Sequence, residues 1–364
     1  MTIKSLIIFL LPALALSSSL LKAEPISKKF TKPPTIAAFF TRPSNDPYYS
    51  LVTTFANTVS EKLNIKLETY FVDSNHLKLV NKIKQVASSK NKPDIIAFIN
   101  FKKQADKILD ITEKYQIPTF IFNSKKKTNL GRKSLVGTIS PNDKKAGYDL
   151  AINLINKSKI NKNGKIYLIG LEGDPASSAS QERVQGLLTA VNEHTNVVLQ
   201  QIVNIKDWSR STTIKKTEVL LKRYPNTTAI WAASDSIALG ALTSIKRKNK
   251  AYDIVIGGID WSKEGIEATE LNELAGTYGN QFMELGWVLI LSYDYLSNKA
   301  IKIPNEINLP MQLIDHNNIT TMKKYTTQKC WRTFDFKKLS KALNPSINKY
   351  HFKLNCQEEP NKTK

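Results

Sequence analysis

From Pro34 onward, short apolar runs alternate with longer stretches whose apolar residues recur at helical spacing. Ile36 to Phe40 carries no polar side chain, the pattern of a strand buried on both faces. Tyr49 to Leu63 then puts Leu51, Val52, Phe55, Val59 and Leu63 on one helical face. The same reading predicts a strand over Leu67–Val72, a helix over Leu77–Ser88 and a strand over Asp94–Ile99. A helix around Ala105–Tyr115 and a strand over Thr119–Phe122 follow.

The alternation then starts again near Gly137. Helices are predicted over Asp143–Asn156, Ser180–His194, Ser211–Arg223 and Ser236–Lys246. They are interleaved with strands over Lys165–Gly170, Val197–Val203, Ala229–Ala232 and Ile254–Gly258. Strands separated by helices of this length imply right-handed βαβ units and parallel sheets. The run is too long for one compact sheet, so the pattern predicts an α/β protein of two Rossmann-like lobes. In such sheets ligands bind beyond the carboxyl ends of the strands.

The chain's start adds a compartment. Lys4, the apolar run Leu6–Leu16 and the small residues before Glu24-Pro25 read as a secretory signal over residues 1–23, cleaved near Ala23. The run is short for a bilayer span, and an uncleaved anchor is the alternative. Export to the periplasm permits a disulfide between the two cysteines, Cys330 and Cys356, although two free thiols fit the sequence equally. Two cysteines without histidines at ligand spacing do not make a zinc site, and no metal or other cofactor is implied. The formal charge of +22 falls to +20 once Lys4 and Lys22 are removed. Its lysines are dispersed, as in Lys125-Lys126-Lys127 and Lys215-Lys216, without a nucleic-acid-binding motif beside them. They read as solvated faces, and nucleic acid is not an expected partner.

The strand ends carry the candidate chemistry. Thr41 to Tyr49 sets polar groups beside two tyrosines. Later ends offer Asn123-Ser124, Glu172-Gly173-Asp174, Asp207-Trp208-Ser209, Ser234-Asp235, Asp260-Trp261 and Asn280. Planar bidentate partners for hydroxyls, mixed with aromatic faces, suit sugar-like ligands. Each of these groups has a plainer reading: Asp235 fits a helix N-cap, and Trp261 fits core packing.

Several segments resemble the type I periplasmic binding proteins, the superfamily of ribose-binding proteins and autoinducer-2 receptors. They are Asn45-Asp46-Pro47-Tyr48-Tyr49, Ser180 to Gly186, Asp207-Trp208-Ser209, Ser234 to Leu242, and Gly257 to Asp260. The tail around Trp331 to Phe336 and Leu343-Asn344-Pro345 resembles an ABC-type sugar-binding subgroup. The resemblance implies a hinge of three crossings, near Thr138–Ser140, near Phe282 and near Pro310. Residues 34–139 with about 283–309 would form the first lobe, and 140–282 with about 310–320 the second. Residues 321–364 would be a tail packed on the lobes. Asp46, Tyr48, Tyr49 and Asn123 would face the cleft from the first lobe. Arg183, Trp208, Ser234, Asp260 and Asn280 would face it from the second.

By the same resemblance the protein is a monomer that passes a sugar-like ligand to an ABC transporter permease, or else a sensor that signals to a membrane kinase or cyclase. Asn123-Ser124 replaces the Asp-Arg pair of ribose binders, Ser234 replaces their Asn, and Asn280 replaces Gln. Ribose is therefore not implied. Arg183 is the leading site residue, with a surface ion pair as its plainer role. On that view Arg183→Ala abolishes binding and leaves unfolding unchanged. His76, His194, His316 and His351 are scattered, and no hydrolase, metalloprotease or phosphate-loop motif occurs, so an enzyme is not expected.

Overall fold

Ile36–Phe40 is buried along its whole length, and in this computed structural model it is an interior strand of a parallel sheet. Residues 30–124, 131–247 and 254–356 are described; the signal-sequence reading of residues 1–23 lies outside them. The first sheet begins with β1 (Thr35–Phe40), α1 (Pro47–Leu63), β2 (Lys66–Phe71), α2 (His76–Ala87), β3 (Ile95–Phe98), α3 (Ala105–Lys114), β4 (Thr119–Phe122) and β5 (Leu135–Pro141). The second is built from α4 (Asp143–Lys157), β6 (Ile166–Glu172), α5 (Ser178–Asn192), β7 (Val197–Asn204), α6 (Arg210–Arg223), β8 (Ala229–Ala232), α7 (Asp235–Arg247), β9 (Val255–Ile259), α8 (Lys263–Glu270) and β10 (Gly276–Gly279).

The chain then returns to the first sheet with α9 (Glu284–Ser297) and β11 (Glu306–Leu309), and crosses to the second with β12 (Gln312–Ile314). The strand orders are β11-β5-β4-β3-β1-β2 and β12-β10-β9-β8-β6-β7. Every pairing is parallel except β10 with β12. The α/β fold of two parallel-sheet lobes is therefore as the pattern predicted. Three segments pass between the sheets: after Pro141, around Asn280–Met283, and at Pro310.

Local chemistry explains the predicted elements and those the pattern did not yield. Asp46 caps α1 by accepting from the Tyr49 N–H at 3.1 Å, and Pro47 supplies a preset first turn, so the helix starts earlier than its apolar face. The strand β10 is Gly-Thr-Tyr-Gly, and β12 has three residues, too little for a periodic signal. Helix α9 has no polar stripe: Leu285 through Leu291 are all buried against α1 and the first sheet.

Residues beyond α9 and β12 cover the first lobe. α10 (Ile319–Met322) and α11 (Gln328–Thr333) lead to a segment pinned by a disulfide between Cys330 and Cys356. Trp331 and Phe336 meet the Phe55 ring edge-on, and Phe352 stacks on Trp287 at 5.2 Å. The buried Asp294 of α9 accepts from Ser340 Oγ, from the Lys341 N–H at 2.8 Å, from the Ala342 N–H at 3.1 Å and from Tyr350 Oη at 2.8 Å. These groups tie the tail to the lobe through a carboxylate that has no other way to be satisfied. The bridge spans 26 residues, for which chain entropy gives about 3.5 kcal/mol. A Cys330→Ser variant is expected to lose stability of that order in denaturant melts, with tail amides exchanging before those of the sheet. An unchanged midpoint would show that aromatic packing alone seats the tail.

Candidate ligand-binding cleft

Two glycines bring the central charged pair together. Helices α4 and α5 cross so closely that a Cβ on Gly147 would lie 2.1 Å from the Arg183 carbonyl, and one on Gly186 would lie 2.1 Å from the Lys144 carbonyl. That approach places Arg183 of α5 against Asp143 of α4, with Nε donating to the Asp143 carboxylate at 2.7 Å. Nη1 donates to the Ala233 carbonyl at 2.7 Å and lies 3.6 Å from Asp260. The side chain is 4% exposed. Burial works to lower its pKa, but Asp143 and Asp260 hold it above the ordinary value. Arg183 is thus the hub of a buried charge cluster and not part of a surface ion pair.

Around it, side chains from both lobes line a cleft. Of the residues expected there, Tyr48, Tyr49, Asn123, Arg183, Trp208 and Asp260 line it. The Asn123 amide donates to Tyr48 Oη at 3.0 Å. Asp260 accepts from the Gln281 amide at 2.8 Å. Burial pushes Asp260 well above the usual carboxylate range, against the pull of Arg183. Tyr48 is raised by burial and by the nearby Glu284 and Asp260.

The other three stand behind the lining. Asp46 is used by the α1 N-terminus and by Arg42. Ser234 accepts from the Ile237 N–H at 3.3 Å, so it faces the start of α7. Asn280 donates to the Pro310 carbonyl at 3.1 Å, joining two of the crossings between the sheets.

Asp235 is not a simple cap either. Its carboxylate accepts from the Ser262 N–H and Oγ at 2.8 and 2.9 Å and from Thr277 Oγ1 at 2.6 Å, stitching α7 to β10 and the loop after β9. Trp261 is core packing, with its indole N–H shared between the carbonyls of Thr277 and Gln312.

Of the other lining residues, Arg42 and Asp174 lie in strand-end segments that the sequence reading inspected without placing them in the site, and Ser74, Asn100 and Lys206 were missed. Ser74 and Asn100 follow β2 and β3, so the strand-end rule applied to those two strands finds them. Glu284 was also missed. It is 1% exposed at the head of α9, and neither carboxylate oxygen has a hydrogen-bond partner. Burial and the neighbouring Asp143 raise its pKa well above the ordinary range, outweighing Arg183 and the Asn123 backbone N–H, which approaches without the geometry of a hydrogen bond. The backbone is also strained here: Asn123, Trp208, Trp261 and Asn280 have φ of 51°, 55°, 54° and 109°. Left-handed tryptophans are uncommon, and such outliers concentrate at functional sites.

A family model described as the periplasmic binding protein domain matches residues 36–300. The chain belongs to the periplasmic binding protein family. Among its relatives, this binding protein is 31% identical to the ribose import binding protein of Haemophilus influenzae over 173 residues, or 47% of this chain and 56% of that one. It is 29% identical to the corresponding Bacillus subtilis protein over 178 residues, 49% of this chain and 55% of that one. The chain thus spans about half the length of these relatives. The fold is shared with a periplasmic sugar-binding protein from Pseudomonas fluorescens, at a TM-score of 0.79 and 22% identity, covering 88% and 97% of the two chains. It is also shared with a solute binding protein from Actinobacillus succinogenes with bound D-allose, at a TM-score of 0.69 and 21% identity, covering 79% and 99%. The type I resemblance read from the strand ends is therefore established.

The burial of Arg183 changes what its removal does. Arg183→Ala strands Asp143 and Asp260, so it is expected to cost roughly 3–5 kcal/mol in denaturant unfolding. A loss below about 1 kcal/mol would show that the cluster is not coupled. A second expectation concerns pH. Burial raises Asp235 to about 6, so its folded state holds a proton more tightly than its unfolded state. The stabilisation from that proton is complete below the unfolded value near 4 and is lost as pH rises through about 6. Asp235→Asn should therefore gain in melting temperature relative to wild type between pH 5 and pH 8. A difference that stays constant over that interval would mean that the three donors keep the carboxylate ionised.

Proposed function

We propose that this protein is an exported receptor that captures a small, neutral, sugar-like ligand between its lobes and delivers it to the permease of an ABC importer. The observation that carries the reading is the cleft itself. It combines the aromatic faces of Tyr48, Tyr49 and Trp208 with the planar hydrogen-bonding groups of Asn123, Arg183 and Asp260. Rings can bind a sugar's C–H faces while amide, carboxylate and guanidinium take its hydroxyls. The charges deepest in the cleft already have partners, so a neutral polyhydroxyl compound needs no counter-charge. Such fixed, mutually satisfied groups hold a ligand and do not react with it.

The relatives' names support ligand class and compartment: ribose import in Haemophilus influenzae and Bacillus subtilis, and D-allose bound in the Actinobacillus succinogenes protein. Export rests on the signal reading of residues 1–23 and agrees with the disulfide, which persists in an oxidising compartment. Asn280 and Glu284 sit at the middle crossing, where a hinge would bend as the lobes close. The sensing alternative draws no support from these relatives.

A ligand present at a hundred times its Kd stabilises the folded state by about 2.7 kcal/mol. A thermal-shift screen of the protein against pentoses, hexoses, their furanose-forming isomers and polyols should therefore raise the melting temperature by several degrees for at least one compound. The shift should vanish in Asn123→Ala. A screen in which every sugar and polyol is silent overturns the sugar-receptor reading.

A further inference from the structure

One contact in the cleft joins the two lobes directly and uses a residue to which no role has been assigned. Arg42 follows β1 in the first lobe, and its Nη2 is 3.1 Å from both carboxylate oxygens of Asp46. Asp46 is in turn fixed by capping α1. The guanidinium carbon lies 5.2 Å over the Tyr49 ring of its own lobe and 5.5 Å over the Trp208 ring of the second. Trp208 is held just as firmly. Its backbone is left-handed, with φ of 55°, and its ring packs on Gly173 so closely that a Cβ there would lie 2.0 Å away. Both partners are thus anchored from behind, and the stack between them needs no ligand.

We infer that Arg42 is a closing residue: its stack on Trp208 holds the empty receptor's lobes together and sets the balance between closed and open forms. The inference rests on the reading of a cleft that opens and closes, and adds that closure has a component independent of the ligand. Desolvation between two aromatic faces makes such a stack stronger than a surface ion pair, equivalent to about a 2- to 30-fold change in the closed-to-open ratio. A ligand's apparent affinity scales with the fraction of competent receptor, so weakening the stack lowers affinity in addition to any contact Arg42 or Trp208 makes with the ligand, and the balance itself is read without ligand.

The test uses the full chain with its disulfide intact and no ligand. Spin labels on Gln85→Cys of α2 and Lys222→Cys of α6, both exposed, report the distance between the lobes by pulsed electron resonance. Wild type should show a short-distance population, and Arg42→Met should shift it toward longer distances by the ratio above. Trp208→Leu leaves the Arg42–Asp46 pair untouched and should shift it equally. The double variant should go no further than either single one, because both remove the same contact. A wild type with two populations that neither variant alters, or shifts that simply add, overturns the closing role and leaves the hinge reading standing. A single fixed distance in every variant overturns both.

Discussion

A buried guanidinium sets the terms for this cleft. Arg183 is surrounded by Asp143 and Asp260 where water cannot screen them, and removing any member leaves an uncompensated charge. Its place depends on two helices crossing at backbone contact, hence on Gly147 and Gly186. The rest of the site is built outward from that fixed point: Asp260 is oriented by Gln281, and Asp235 draws Ser262 and Thr277 into the wall behind it. The wall is expensive in desolvation, and the strained backbones of Trp208, Trp261 and Asn280 add to the cost. The large apolar cores beneath both sheets supply the compensating stability.

The periodic part of the fold was legible in the sequence because most of the β-strands are apolar runs with helices of clear periodicity between them. Ile36–Phe40 and Ala229–Ala232 are short apolar runs between periodic helices, the pattern of buried strands. The return of the chain to the first lobe was legible only by family resemblance. Helix α9 is apolar on every side and β10 carries two glycines, so neither has a period to detect. Strand ends pointed to Tyr48, Asn123, Trp208 and Asp260 because the topology forces those positions toward the cleft.

What one sequence does not show is the partner that a polar side chain selects. Asp46, Ser234 and Asn280 occupy strand-end or crossing positions, yet each is taken by a backbone group or by Arg42. Those bonds are made within a few residues or across a crossing, and nothing in residue type separates them from ligand contacts. Arg183 illustrates the same point from the other side. Its identity suggested a ligand-facing fork, but two of its nitrogens serve the protein, so its effect on binding and its effect on folding are inseparable. Arg42 lay within the inspected loop, and only the geometry of Trp208 gave it a partner.

The two sheets share an unusual dependence on the far end of the chain. β11 forms one edge of the first sheet and β12 one edge of the second, and α9 fills the first lobe against α1. Neither lobe is complete while Ile314 is still missing, and the Cys330–Cys356 loop closes on a surface that α1 and α9 must first create together. A chain of this design cannot close either sheet until its last two strands exist, so each lobe depends on residues far along the chain from its first strand.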